Sequence, residues 1–298
     1  MSAASMTPLL GAKTPNSGEL PGRLGIGAMA RRLEEAGFES LWVSDHVVMP
    51  ASIESRYPFA VDGKATWPSD TPYFDAVVAL AMIGAATRRA RLGTAVLVLP
   101  QREPVVLAKQ LASLDALIGG RLELGVGAGW LAEEFEALNV PFDSRGSRME
   151  EWIALLRACW TGQPEAHSGR HYALPAGVLC QPVPARPIPV LIGGHSPVAL
   201  RRAGRLGDGW LAHQSALALD ADALAEGCRR MRNAASSAGR DPDELRVVLR
   251  IIDSAGRAEE VARAAPALAQ AGVDEIVVDV DWAAANGPED AFSALAAA

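Results

Sequence analysis

Three cysteines in 298 residues, Cys159, Cys180 and Cys228, are too few, too scattered and odd in number for a disulfide framework. They lack the paired spacing of a metal site and suit a reducing cytoplasm. No apolar run approaches the length needed to span a bilayer. The first residues, Met-Ser-Ala-Ala-Ser-Met-Thr-Pro, lack the positive start and apolar core of a secretory signal, so a cytoplasmic protein is expected. Basic blocks are also missing. The 28 Lys and Arg residues are interspersed with 35 Asp and Glu, a formal net charge of −7, which makes nucleic acid and anionic membrane poor partners. His167, His171, His195 and His213 show no ligand spacing, so no metal is expected. Neither a serine nucleophile elbow nor a Schiff-base lysine signature stands out. What the chain does have is apolar residue, 49% of the total, enough for the sizeable core of a soluble globular protein.

Short apolar runs alternate with amphipathic stretches along the whole chain. Strands are predicted near 6–10 and over 40–44, 91–99, 122–126, 190–192, 209–212, 246–252 and 275–280. Helices are predicted over 24–36, 74–87, 104–117, 145–160 and 259–271, with glycines 37, 119 and 120 at two of their ends. Roughly eight βα units with no break in composition favour one α/β domain over 1–298, a (β/α)8 TIM barrel, with a doubly wound open sheet as the alternative. Two long segments interrupt the rhythm, 47–72 and 162–189. Structureless stretches of that length are usually lids or binding loops. The first follows the second strand, so it belongs to the C-terminal face, where barrels build their active sites.

Several motifs could carry chemistry. After the strand at 190–192, Gly193 and Gly194 let a backbone approach a bound group, and Ser196 and Pro197 suit a helix start. That combination suits a phosphate, although an ordinary tight strand-to-helix turn has the same pattern. His195 and His213 lie beside it. Ser44, Asp45 and His46 end the second strand, where a carboxylate and an imidazole can handle protons. Equally, Asp45 could cap the loop and His46 be an ordinary polar residue. Gly125, Gly127 and Gly129, followed by Trp130, would admit a flat ligand face, but their spacing is wrong for a dinucleotide fingerprint and glycine also serves barrel bends. Glu133 could face the pocket as an acid or clamp, while a solvated first-turn carboxylate is the simpler reading of both Glu133 and Glu134. Thr94, Ala95 and Val96 put small residues at the third strand's exit, leaving room for a planar ring. Tyr57, Phe59 and Trp67 from the first long loop, with Trp130, would give an aromatic substrate pocket.

In this order, Glu35 to His46, Leu92 to Leu97, Lys109 to Asp115, Gly119 to Leu122, Gly125 to Trp130 with Glu134-Phe135, and Gly193-Gly194 resemble the luciferase-like monooxygenase superfamily. The similarity is strongest to its actinobacterial coenzyme F420-dependent oxidoreductases and covers nearly the whole chain. The resemblance implies a (β/α)8 barrel with an insertion near strand 5, matching 162–189. It implies a deazaflavin or flavin ring at the mouth over Thr94, Ala95 and Val96, with Gly127, Gly129 and Trp130 beside it and a non-prolyl cis peptide at Ala95–Val96. Asp45 would lie near the ring and His46 toward the substrate, while Gly193, Gly194, His195 and Ser196 would hold the phosphate. Homodimers are common in the superfamily.

One departure matters. Sugar-phosphate dehydrogenases of this superfamily place a catalytic glutamate where this chain has Trp130, which disfavours that activity and leaves His46 as the proton carrier, with Glu133 second. The expected function is therefore hydride transfer between coenzyme F420 and a small organic substrate. The nearest alternative is an FMN-dependent monooxygenase using oxygen, and another is a barrel that binds its cofactor without turnover. A phosphosugar isomerase or aldolase barrel would explain Gly193-Gly194 but not the other landmarks. FMN ends in a monoester dianion and invites an arginine at the cradle. F420 carries an acidic oligoglutamate tail beyond a diester, so its groove should stay open and positively charged.

Overall fold

A computed structural model describes residues 7–58, 62–65 and 67–297. Eight parallel strands follow one another in chain order: β1 (Leu9–Lys13), β2 (Ser40–Val43), β3 (Arg91–Thr94), β4 (Leu122–Gly127), β5 (Val190–Gly193), β6 (Gly209–Ser215), β7 (Arg246–Ile252) and β8 (Glu275–Val278). Each pairs with its neighbour, and β8 returns to pair with β1 (Leu10 beside Ile276), so the sheet closes into a barrel. Helices α1 (Ile26–Ala36), α2 (Ala76–Ala86), α3 (Pro104–Leu117), the short α4 (Ala132–Ala137), α5 (Arg145–Trp160), α6 (Pro197–Leu206), α7 (Ala221–Ser237), α8 (Ala258–Gln270) and α9 (Gly287–Ala296) lie between and after the strands. This is a TIM barrel.

Local chemistry explains the element ends. In α1, Ile26, Met29, Ala30 and Leu33 are buried at the i, i+3, i+4, i+7 spacing of a helix with one apolar face. It stops at Gly37, at φ +118°, where a Cβ would run into the Phe292 ring. Helix α2 starts where the Asp75 carboxylate accepts the N–H groups of Val77 and Val78, and α6 starts where Ser196 Oγ accepts that of Ala199.

Three sequence expectations shift. The first strand runs over Leu9–Lys13 rather than 6–10, and Met6 lies outside the described residues. The predicted strand 91–99 is broken by a cis peptide at Ala95–Val96, after which Leu97–Val98 pairs again with β4. The 162–189 segment is not structureless: His167–Ser168 and Ala173–Leu174 form a hairpin. It is fastened to the first half of α5 by the Glu151 carboxylate, which accepts the Tyr172 N–H at 2.9 Å. The other long segment, 47–72, has no regular strand or helix among its described residues and ends at Tyr73, which bridges to Ser17.

Because strand side chains alternate, the barrel interior is layered. At the bottom, Arg91 and Arg246 each reach both Glu123 and Glu275 at 2.8–2.9 Å, an ionic square with both carboxylates fully buried. Above it, Trp42, Leu191, Leu211, Val248 and Val277 make an apolar plug. The indole of Trp42 fills the space that a Cβ at Gly93 would need, at 2.3 Å. Two residues further along those strands stand Ser44, Gly193, His213, Arg250 and Asp279, which with Lys13 and the Ala95–Val96 turn floor the mouth.

Candidate active site at the barrel mouth

His46 lies three residues beyond the end of β2 and is buried. Its Nδ1 lies 3.0 Å from Glu134 Oε2 on α4, while Glu134 Oε1 accepts the N–H of Val47 at 2.6 Å. Burial alone would raise the Glu134 carboxyl, but hydrogen bonds from His46, Gln101 and Val47 outweigh it and hold the pKa below its ordinary value. An ionised Glu134 accepts a hydrogen bond from the Nδ1–H, the tautomer in which Nε2 carries the lone pair. Glu134 thus corrects the expectation of a solvated carboxylate: it is 1% exposed.

Asp45 turns the other way. One carboxylate oxygen accepts the Val98 N–H at 3.0 Å, and the other meets Arg102 at 2.5 Å. Arg102 also reaches Asp75 at 2.8 Å, tying the end of β2 to the start of α2 and the segment before α3. Burial pushes the Asp45 carboxyl up, against Arg102 and the Val98 N–H. Both oxygens are occupied by protein partners, so the carboxylate anchors the exit of β3.

Aromatic rings box in His46. Its centroid lies 5.1 Å from Tyr73, 5.9 Å from Trp67 and 6.2 Å from Trp130. Tyr57 packs edge-on against Trp67 and Trp130 at 5.2 and 5.0 Å, so the predicted aromatic wall does assemble. Phe59 lies outside the described residues. Burial raises the phenols of Tyr57 and Tyr73 to about 12, keeping both protonated at neutral pH. The Trp67 Nε1–H is buried without a partner among the described residues. A cavity of about 220 Å³ opens beside His46, Tyr73 and Ser69.

Glu133 needs correction. Rather than lining the pocket, its carboxylate accepts the N–H groups of Glu54 and Ser55 at 2.6 and 2.9 Å and the Ser55 hydroxyl at 2.6 Å. Despite partial burial, these bonds lower its pKa to about 2. It fastens the 47–72 loop to α4.

The glycines also differ in their use. A Cβ at Gly127 or Gly193 would strike the Val96 side chain at 2.6 and 2.8 Å, so both glycines make room for Val96. Gly129, at φ +87°, lets Phe135 and Val98 close in. Thr94 is buried, its hydroxyl bonded to Gly125 O at 2.7 Å. Gly194 adopts φ +114°, Trp210 Nε1–H bonds its carbonyl, and His195 Nε2 accepts the His213 N–H at 3.0 Å. Ser196 is exposed and caps α6.

Across the mouth lies a charged half that sequence reading missed. Arg250 pairs with Asp279 and is 5% exposed. Burial, reinforced by Arg250 and opposed by Asp279, lowers the Lys13 pKa to about 8. Burial, with Arg250, His195 and Lys13 nearby, lowers that of His213 to about 3, so His213 is neutral.

Comparisons with known proteins agree with this architecture. The sequence is 38% identical over 220 residues to an uncharacterized protein of Mycobacterium tuberculosis, covering 74% of this chain and 75% of that one. It is 34% identical over 227 residues to an F420-dependent glucose-6-phosphate dehydrogenase of Nakamurella multipartita, covering 73% of this chain and 59% of the relative. The fold matches an F420-dependent secondary alcohol dehydrogenase solved with an F420-acetone adduct, at a TM-score of 0.78 and 17% identity over 97% of this chain and 99% of the other. The luciferase-like monooxygenase profile matches residues 13–297, and with that span and that barrel the chain belongs to the luciferase-like monooxygenase family.

Proposed function

We propose that this chain is a coenzyme F420-dependent oxidoreductase that transfers a hydride between the cofactor and a small organic substrate. The observation that carries the reading is the His46–Glu134 dyad, buried in an aromatic box beside the small-residue exit of β3. Relatives named as F420-dependent enzymes support the choice of cofactor.

The residues present fit such a group. Ala95 and Val96 pack on the apolar plug and stay half-buried, and the Trp67 Nε1–H is a buried donor without a partner among the described residues. Ala95, Val96 and Trp130 would hold the ring, with Thr94, Gly127 and Gly129 packed behind them. Gly193, Gly194, His195 and Ser196 would hold the phosphate, Gly194 with its φ of +114° and Ser196 exposed at the start of α6. When bound, the deazaflavin supplies or accepts the hydride. His46 gives or takes the accompanying proton at Nε2, and Glu134 fixes the tautomer and stabilises the charged ring. Tyr57, Trp67, Tyr73 and Trp130 keep water from that proton. Asp45 holds the β3 exit in place through Val98, and Glu133 holds the loop over the pocket.

Trp130 stands where a sugar-phosphate dehydrogenase would need a carboxylate, and Glu133 is engaged with the loop, which supports a substrate other than a sugar phosphate.

The test is an anaerobic single turnover with reduced F420 and a panel of small carbonyl compounds. Return of the oxidised deazaflavin absorbance is expected with the wild type and not with His46→Ala, while both bind the cofactor. Oxidation that requires oxygen would favour the monooxygenase reading. Binding with no oxidation by any compound would favour a cofactor-binding barrel.

A further inference from the structure

On α6, Pro197, Arg201 and Arg205 recur every four residues and so share one face. That face meets Arg230, Asn233 and Ser237 of α7 around a groove of about 500 Å³. The groove exists because small residues let the helices close: a Cβ at Gly204 would lie 2.2 Å from Met231 O, and Ala234 and Ala238 form the floor. Long cationic side chains therefore overhang a shallow channel.

The charge in that channel is uncompensated. Among the described residues Arg201 and Arg205 form no ion pair, whereas the intervening Arg202 turns away to Glu150 at 3.0 Å. Arg230 meets only Glu226, in an exposed pair that contributes little and is open to exchange. Among the described residues no carboxylate lines the groove. Arg205 lies in the last turn of α6, where a cation suits the helix dipole, while Arg201 lies mid-helix, beyond the reach of either end. A concentrated positive strip on a chain of net charge −7 attracts an anionic occupant.

The groove begins at Pro197, the residue after Ser196 of the phosphate cradle, and runs about 12 Å to Arg205 at 1.5 Å per residue. We propose that it binds the oligoglutamate tail of coenzyme F420, whose successive carboxylates would meet Arg201, Arg205 and Arg230 beyond the phosphate. This rests on the F420 reading above and adds a second point of recognition on the outer surface of the barrel.

Equilibrium titration at low salt, read by tryptophan fluorescence, tests it with three ligands: F420 bearing several glutamates, its tail-less form and free oligoglutamate. The wild type should bind the tailed form about tenfold tighter than the tail-less one, and added salt should erase the difference. Arg201→Ala with Arg205→Ala should remove the preference while leaving tail-less binding and the circular dichroism spectrum unchanged. Equal wild-type affinity for the two forms, or a preference that survives in the variant, overturns the groove and leaves the F420 reading standing. Binding of neither form overturns both. Free oligoglutamate should compete with the tailed form and not with the tail-less one. Competition with both would place the acidic chain in the cradle instead, against the proposal.

Discussion

Glu134 and His46 are separated by 88 residues in sequence and by 3.0 Å in space. The contact brings the loop leaving β2 onto the helix following β4, and Val47 and Val48 donate their N–H groups to the other oxygen of the same carboxylate. It makes Glu134 a positioning residue for His46 within the proposed chemistry.

Removing the imidazole in His46→Ala should lower kcat by about 10²-fold or more while leaving cofactor affinity unchanged, because general acid–base catalysis contributes on that scale. Glu134→Gln, which keeps the shape and removes the charge, should lower kcat by about tenfold. If Glu134 acts through His46, adding Glu134→Gln to His46→Ala should cost nothing further. Independent, additive losses in the double variant would refute the dyad.

Asp45 anchors the β3 exit through Val98 and Arg102. Arg102 is largely buried, and removing one partner of a buried ion pair costs about 3–5 kcal/mol. Asp45→Ala should therefore lower Tm markedly, with or without cofactor. An unchanged Tm with weakened cofactor binding would instead assign Asp45 to the ring.

The Glu133 clamp gives a pH dependence. Its folded pKa of about 2 lies below the unfolded value of 4.5, so its contribution is fully present above pH 4.5 and lost as pH falls through about 2. Amide exchange at Glu54 and Ser55, corrected for intrinsic rates, should rise across that window, and Glu133→Gln should raise it at neutral pH. Equal protection in Glu133→Gln and wild type would remove the clamp.

The ionic square beneath the Trp42 plug should matter for stability alone. Glu123→Ala leaves Arg91 and Arg246 sharing one carboxylate and should cost about 3–5 kcal/mol in urea unfolding, with little change in cofactor affinity. A loss below about 1 kcal/mol would show that solvent reaches the square.

The barrel was legible because short apolar runs and capped helices alternate along the chain outside the two long segments, and His46 was legible because it follows closely on a strand. Glu134 was not, because its burial depends on the β2 loop folding over α4. A clue lay in the sequence: two consecutive glutamates on a helix point about 100° apart, so Phe135 turning inward leaves room for only one of them in water. Gly127 was read as space for a ligand ring and Gly193 as part of a phosphate cradle, but the space beside both goes to Val96, whose orientation follows from a tertiary backbone turn. Arg246 and Arg250, four apart in an otherwise apolar strand, marked two layers of the barrel interior that alternation alone could have identified.

The most direct test of the account is parallel titration of the purified protein with F420 and with FMN, followed by quenching of tryptophan fluorescence from Trp67 and Trp130 beside His46. Saturable quenching by F420 that FMN does not displace is the expected result. Tight binding of FMN with no binding of F420 would contradict the account.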